Sequence, residues 1–173
     1  MNSTADQFRE LLHRHQSMVF SIALRVAGDR GAAEELAQDV FLELHDQLAR
    51  LASDEHVLHW LRRVTVHRSI DYLRRRSRWN EISIDDPDVN GSLGNVPELA
   101  VEPDFGDPFL SRQLRQLVAS LPAVPRTIVV LRYQEELMPE EIASLLSMPL
   151  ATVKSHLQRT LRLLREKAAR VLR

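Results

Sequence analysis

The chain contains no cysteine, which excludes disulfides and thiolate metal sites. Only 5 of its 173 residues are glycine and 5% are aromatic, while leucine, alanine, arginine and glutamate are plentiful, a balance that favours an all-helical fold. It has no apolar run long enough to cross a bilayer and no N-terminal signal-peptide pattern, so a cytoplasmic protein without membrane insertion is expected. It also lacks a large net charge. The total is −1, which is unusual for a protein that binds a polyanion, unless charges of one sign are gathered locally.

They are gathered. Residues 60–79 carry seven arginines against Asp71, a local charge of +6. Residues 150–173 also sum to +6. Between these, residues 81–107 hold eight acids and no base, a local charge of −8. Local sign is a better guide to partners than the total.

Apolar spacing predicts a first helix over about Ala5–Val26, with Phe8, Leu11, Leu12, His15, Val19, Ile22 and Val26 on one face. The run Gly28-Asp29-Arg30-Gly31 breaks it, and Asp29 can cap the next helix. A second helix is expected over about Ala32–Leu51. Its inner face carries Leu36, Ala37, Val40, Phe41, Leu44 and Leu48, and its outer face Glu34, Glu35, Gln38, Asp39 and Glu43. Ala52–Glu55 reads as a turn, and a third helix covers about His56–Arg76. These three helices suffice for one small core over residues 1–80. Residues 81–107, with scattered Pro, Gly, Asp and Asn, read as a flexible acidic linker. Residues 108–173 then form a four-helix domain. It starts with helices over about Phe109–Ser120 and Arg126–Gln134, with Pro122 and Pro125 as punctuation.

The last two helices form a helix-turn-helix pattern. Pro139–Leu146 opens with proline, favoured at a first helical position, and buries Ile142, Leu145 and Leu146. After Ser147-Met148-Pro149, a helix starting near Ala151 buries Val153, Leu157, Leu161 and Leu164. Lys154, Ser155, Gln158, Arg159, Arg162 and Arg165 remain on its other faces, a shape suited to the DNA major groove. In the third helix Trp60, Arg63, His67, Asp71 and Arg74 share a face, and Arg75 and Arg76 come next. Arginines there can neutralise phosphates, and aromatics can stack on exposed bases. Solvated basic faces are the plain alternative for both helices.

Other chemistry is poorly supported. His56 and His59, and His13 and His15, lie close in sequence without acids at a metal-ligand spacing, so no metal or cofactor is expected. No nucleophile motif, phosphate loop or poised carboxylate pair points to an enzyme.

Taken together, the chain resembles the extracytoplasmic-function (ECF) sigma factors of bacterial RNA polymerase, in the sigma-70 family. The residues that carry the likeness are Gly28-Asp29, Ala33–Leu42, Trp60-Leu61, Asp71–Arg76, Leu121-Pro122, Leu131–Tyr133, Glu140–Ala143 and Thr152–Leu157. The resemblance implies a transcription initiation factor that binds core polymerase, recognises a two-part promoter and promotes its melting. Glu35, Gln38 and Asp39 would meet the clamp coiled coil, and the last domain would rest on the flap. Trp60, Arg63, His67, Arg74, Arg75 and Arg76, with the loop near Arg50–Val57, would engage the minus-ten element. Lys154, Ser155, Gln158, Arg159 and Arg162 would read the minus-thirty-five element. An anti-sigma factor is an implied partner.

The chain also departs from the family pattern. His67 stands where the family often has asparagine, Pro149 where a capping serine is usual, Met138-Pro139 replaces a Ser-Tyr pair, and Leu150-Ala151 replaces a more polar pair. An atypical minus-thirty-five contact is expected from these changes.

Linker length fits the resemblance. Residues 81–107 average roughly 30 Å end to end as a coil and reach roughly 90 Å when stretched. Promoter elements more than two DNA turns apart are separated by roughly 70 Å. Free protein is expected to bind promoter DNA poorly, with the acidic linker competing for the basic faces. Two other readings stay open: a helix-turn-helix regulator that is not a polymerase subunit, and a helical adaptor that binds no DNA.

Overall fold

The computed structural model describes residues 4–82 and 108–171, and side chains within 4–78 and 112–170. Apart from Glu81 and Ile82, the acidic linker lies outside the described residues. The described chain is all α-helical and forms two helical domains, with no strand among these residues.

The first domain contains α1 (Thr4–Ala27), α2 (Arg30–Gln47), a 3-10 turn (Leu48–Arg50) and α3 (Asp54–Ile82). The second contains α4 (Pro108–Ala119), α5 (Ala123–Tyr133), α6 (Pro139–Leu146) and α7 (Leu150–Val171). α1 ends at Gly28, whose φ of +74° suits a residue without a Cβ. Asp29 then caps α2, its Oδ1 accepting from the Ala32 amide at 2.7 Å. Asp29→Ala should lower stability by about 1 kcal/mol, read as a fall in the urea midpoint with unchanged slope.

Several boundaries differ from the sequence reading, each for a local reason. The second helix stops at Gln47, because the chain tightens into the 3-10 turn and Leu51 turns extended. α3 begins at Asp54 inside the expected turn, because Ser53 Oγ accepts from the His56 amide at 3.2 Å. It continues to Ile82, six residues beyond Arg76. α5 begins at Ala123, with Pro125 in its first turn, where a missing N–H leaves no bond unmade. α7 begins one residue early, at Leu150, with the Pro149 carbonyl accepting from Thr152 and Val153 at 3.0 and 3.2 Å.

The three-helix bundle has its own core of Leu11, Val19, Val40, Phe41, Leu44, Leu48, Val57 and Leu61. Small residues (Ala23, Ala27, Ala32 and Ala33) with Leu24 and Leu36 let α1 and α2 approach closely near their turn. The buried hydroxyls of α3 bond within the helix, Thr65 to the Leu61 carbonyl at 2.6 Å and Ser69 to the Thr65 carbonyl at 2.7 Å.

A further core joins the two domains. Ile22 and Val26 of α1 and Val66 and Ile70 of α3 pack with Ile128, Leu131, Leu137, Ile142, Leu145, Leu146 and Val153 of the second domain. Met148, Leu150 and Leu157 pack against this cluster at half-buried positions. The second domain thus rests on α1 and α3 through α5 and α6.

Candidate nucleic-acid interface

Two basic surfaces and one acidic surface are presented by helices whose opposite sides are anchored in these cores. On α7, Val153 is fully buried and Leu164 nearly so. That orientation leaves Lys154, Gln158, Arg159 and Arg162 exposed, with Ser155 half-buried beside them. The spacing of these positions makes one stripe along the helix. Lys154 lies 3.9 Å from Glu140, but both side chains are well exposed, so the pair restrains the lysine little. α6 is held by a bond from the Met138 amide to Glu141 Oε2 at 2.7 Å, half of a capping box.

On α3 the arginines separate into groups. Arg63, Arg74 and Arg75 are exposed. Arg63 Nη2 donates to Ser147 Oγ at 3.4 Å, in the turn of the helix-turn-helix, and Arg75 Nε donates to the Asp71 carbonyl at 3.4 Å. Trp60 is half-buried against the three-helix core. His67 is also half-buried, and burial, with Arg63 and Arg74 adding to it against Asp71, holds its imidazole below the ordinary range. A neutral ring at pH 7 keeps one donor and one acceptor. Arg76 is half-buried, and Arg126 of α5 is held below its ordinary range first by burial and then by the charge of Arg76. Arg76 therefore stands apart from Arg74 and Arg75.

Two arginines of this run serve packing. Arg68 reaches α2, with Nη2 at 2.6 Å from Glu43 and Nη1 at 3.6 Å from Asp39. Arg62 lies 3.7 Å from Glu135 of the second domain.

On α2, Glu35, Gln38 and Asp39 are exposed as expected from the sequence. Leu42 is 67% exposed and completes the same stripe at spacings of three, one and three. Sequence reading passed over it, although the spacing marks it as facing away from Val40, Phe41 and Leu44.

Among the described residues, no three His, Asp or Glu side chains are grouped as metal ligands. No described helix is long and apolar enough to cross a membrane. The arrangement suits binding: charged stripes on rigid helices, separated by a seam.

Sigma-70 region 2 matches residues 11–78, and Sigma-70, region 4, matches residues 111–164. The chain belongs to the sigma-70 family. It is an extracytoplasmic-function sigma factor, and so a transcription initiation factor. It is 26% identical to the ECF RNA polymerase sigma factor SigW of Bacillus subtilis, over 89% of this chain and 84% of that one. Identity to the ECF RNA polymerase sigma factor SigE of Mycolicibacterium smegmatis is 30%, over 98% of this chain and 66% of that one. Among solved structures, the sigma factor RpoE of Bartonella quintana, in complex with the anti-sigma factor NepR, shares the fold. Its TM-score is 0.68 at 20% identity, covering 92% of this chain and 95% of that one.

In this sigma factor, the region 2 match ends inside α3 and takes in all seven arginines of the basic run. The region 4 match takes in α6, the turn and α7 as far as residue 164, including its exposed stripe.

Proposed function

We propose that this sigma factor docks on core polymerase through α2 and reads the two promoter elements with α3 and α7. Domains of 1–80 and 108–173 with a tether over 81–107 are part of this reading. The observation that carries it is the separation of faces: each family-matched segment turns exposed basic side chains to solvent, Arg63, Arg74 and Arg75 on α3 and Lys154, Arg159 and Arg162 on α7, while its apolar side is buried.

Trp60, Arg63, His67, Arg74, Arg75 and Arg76 take the minus-ten element, with arginines on phosphates and the ring near an unstacked base. Lys154, Ser155, Gln158, Arg159 and Arg162 take the minus-thirty-five element in the major groove. Glu35, Gln38, Asp39 and Leu42 meet the clamp coiled coil, and region 4 rests on the flap. Binding and strand separation do the work, without covalent chemistry, in the cytoplasm. An anti-sigma factor is the regulatory partner. The Bartonella quintana sigma factor, with the same fold, is described in complex with one.

Run-off transcription with core polymerase on a genomic fragment library tests this reading. Start sites that depend on the added chain support it, and their absence overturns it. Leu42→Arg should reduce retention of the chain on immobilised core polymerase roughly tenfold, as expected when an interface anchor is lost. Its helix content should stay unchanged, because Leu42 packs little within the domain. Retention equal to the parent would remove α2 from the docking surface.

A further inference from the structure

We propose that Arg25 of α1 and Arg115 of α4, beside Glu135, form a binding site for a phosphate group. The site lies outside the stripes of α3 and α7, and the inference does not depend on the promoter reading.

Several elements bring the groups together. After α5, Gln134 Nε2 donates to Ser21 Oγ of α1 at 2.6 Å and to Glu135 Oε1 at 3.4 Å. Arg25 follows Ser21 by one turn on the same face of α1, within electrostatic reach of Glu135. Arg62 of α3 lies 3.7 Å from Glu135, and the two side chains are only 23% and 10% exposed. Arg115 comes from α4, and its charge acts on Arg25. Three guanidiniums are thus linked, directly or through one another, to one carboxylate, an excess of two positive charges in a partly dehydrated place.

That carboxylate is already engaged by Arg62 and Gln134. Among the described residues, Arg25 and Arg115 have neither a hydrogen-bond nor a salt-bridge partner, and the Nε of each is buried. Other half-buried arginines find acceptors. Arg68 reaches Glu43 at 2.6 Å, and Arg126 bonds to the Val26 and Leu121 carbonyls at 2.8 and 3.0 Å. Burial first, and then Arg115, hold Arg25 below its ordinary range against the pull of Glu135. A guanidinium does not shed its proton at neutral pH, so the cost persists as repulsion until an anion offsets it.

The charge excess selects the ligand. Inorganic phosphate or a phosphate monoester carries about −1.5 to −2 at pH 7, close to what the cluster lacks. Its oxygens match the planar fork of a guanidinium in bidentate pairs. Chloride or a single carboxylate would neutralise one charge only. Arg25 and Arg115 are half-buried, which leaves part of each side chain open to an incoming anion.

Thermal unfolding of the full chain tests the site, with inorganic phosphate replacing chloride at fixed ionic strength. The parent midpoint should rise and then level off, as binding to the native state requires. Phosphorus NMR of the same titration reads the phosphate Kd without unfolding. In Arg25→Gln and Arg115→Gln that Kd should rise at least roughly tenfold, the loss of a charge-assisted bidentate contact. In chloride alone each variant should melt at or above the parent, because it relieves like-charge repulsion. A lower midpoint there, together with an unchanged phosphate Kd, would make these arginines packing residues and overturn the site. Arg159→Gln removes a cation from the α7 stripe and should bind phosphate as the parent does. Adenosine 5′-monophosphate separates the two sources: binding tighter than inorganic phosphate identifies a nucleotide, and equal or weaker binding the free ion. A rise linear in phosphate and equal in all variants is the exclusion effect of a kosmotropic salt and overturns the site. A loss confined to Arg159→Gln also overturns it, since the phosphate would then sit on α7.

Discussion

Leu131→Ala is expected to destabilise the protein by about 2–5 kcal/mol, and to do so for both matched segments together. Leu131 is fully buried in the core that α1 and α3 share with the helix-turn-helix. Removing its side chain leaves a cavity bordered by residues from both domains, and rigid surroundings relax only partly into it. The coupling can be read optically. Both tryptophans, Trp60 and Trp79, lie in α3, so their fluorescence reports the first domain although the substitution is in the second. With a urea slope of about 1–3 kcal/mol per molar, the fluorescence midpoint should fall by roughly 1 M or more. A fluorescence midpoint that stays in place, while far-ultraviolet dichroism loses α4–α7 early, would mean that the domains unfold independently.

That coupling was hidden in the sequence for a definite reason. Ile22 and Val26 fall on the apolar stripe of α1, and periodicity assigns a face without naming what covers it. The upper part of the stripe, from Leu11 to Val19, packs in the three-helix core, while Ile22 and Val26 turn to helices more than a hundred residues away. Nothing in the sequence marks Ser21, Gln134 and Arg126 as partners, because a hydroxyl, an amide and backbone carbonyls are brought together only by tertiary structure. Features set by local chemistry were legible. Asp29 caps α2, Pro139 opens α6, and the α7 stripe of Lys154, Gln158, Arg159 and Arg162 is exposed.

The arginines of α3 show where local reading stops. Helical spacing put Arg63 and Arg74 on one face, and the density of the run pointed to phosphate contact. At about 100° per residue, Arg74, Arg75 and Arg76 point in different directions, and Arg76 ends near Arg126. Arg68 sits against Glu43, and Arg62 against Glu135. Burial is what separates these roles, since a guanidinium held by a carboxylate is not free for a phosphate. Neither the count of arginines nor the local charge of +6 could reveal it.

The combined change Lys154→Ala, Arg159→Ala, Arg162→Ala is expected to weaken holoenzyme binding to a promoter roughly a hundredfold or more, with single base contacts contributing about 1–3 kcal/mol each. All three side chains are exposed, and none belongs to a buried cluster, so helix content and retention on core polymerase should be preserved. The salt dependence separates groove binding from a general loss of function. Each phosphate contact removed should reduce the slope of log affinity against log salt by about 0.9. If all three residues touch phosphate, the slope should fall by nearly three; if Arg159 reads a base edge, it should fall by about two, with relaxed sequence preference at one position. The control Arg9→Ala, exposed on α1 and paired with Asp6, should change neither quantity. A loss of only twofold with an unchanged slope would take promoter recognition away from α7. The exposed stripe would then be no more than a solvated surface.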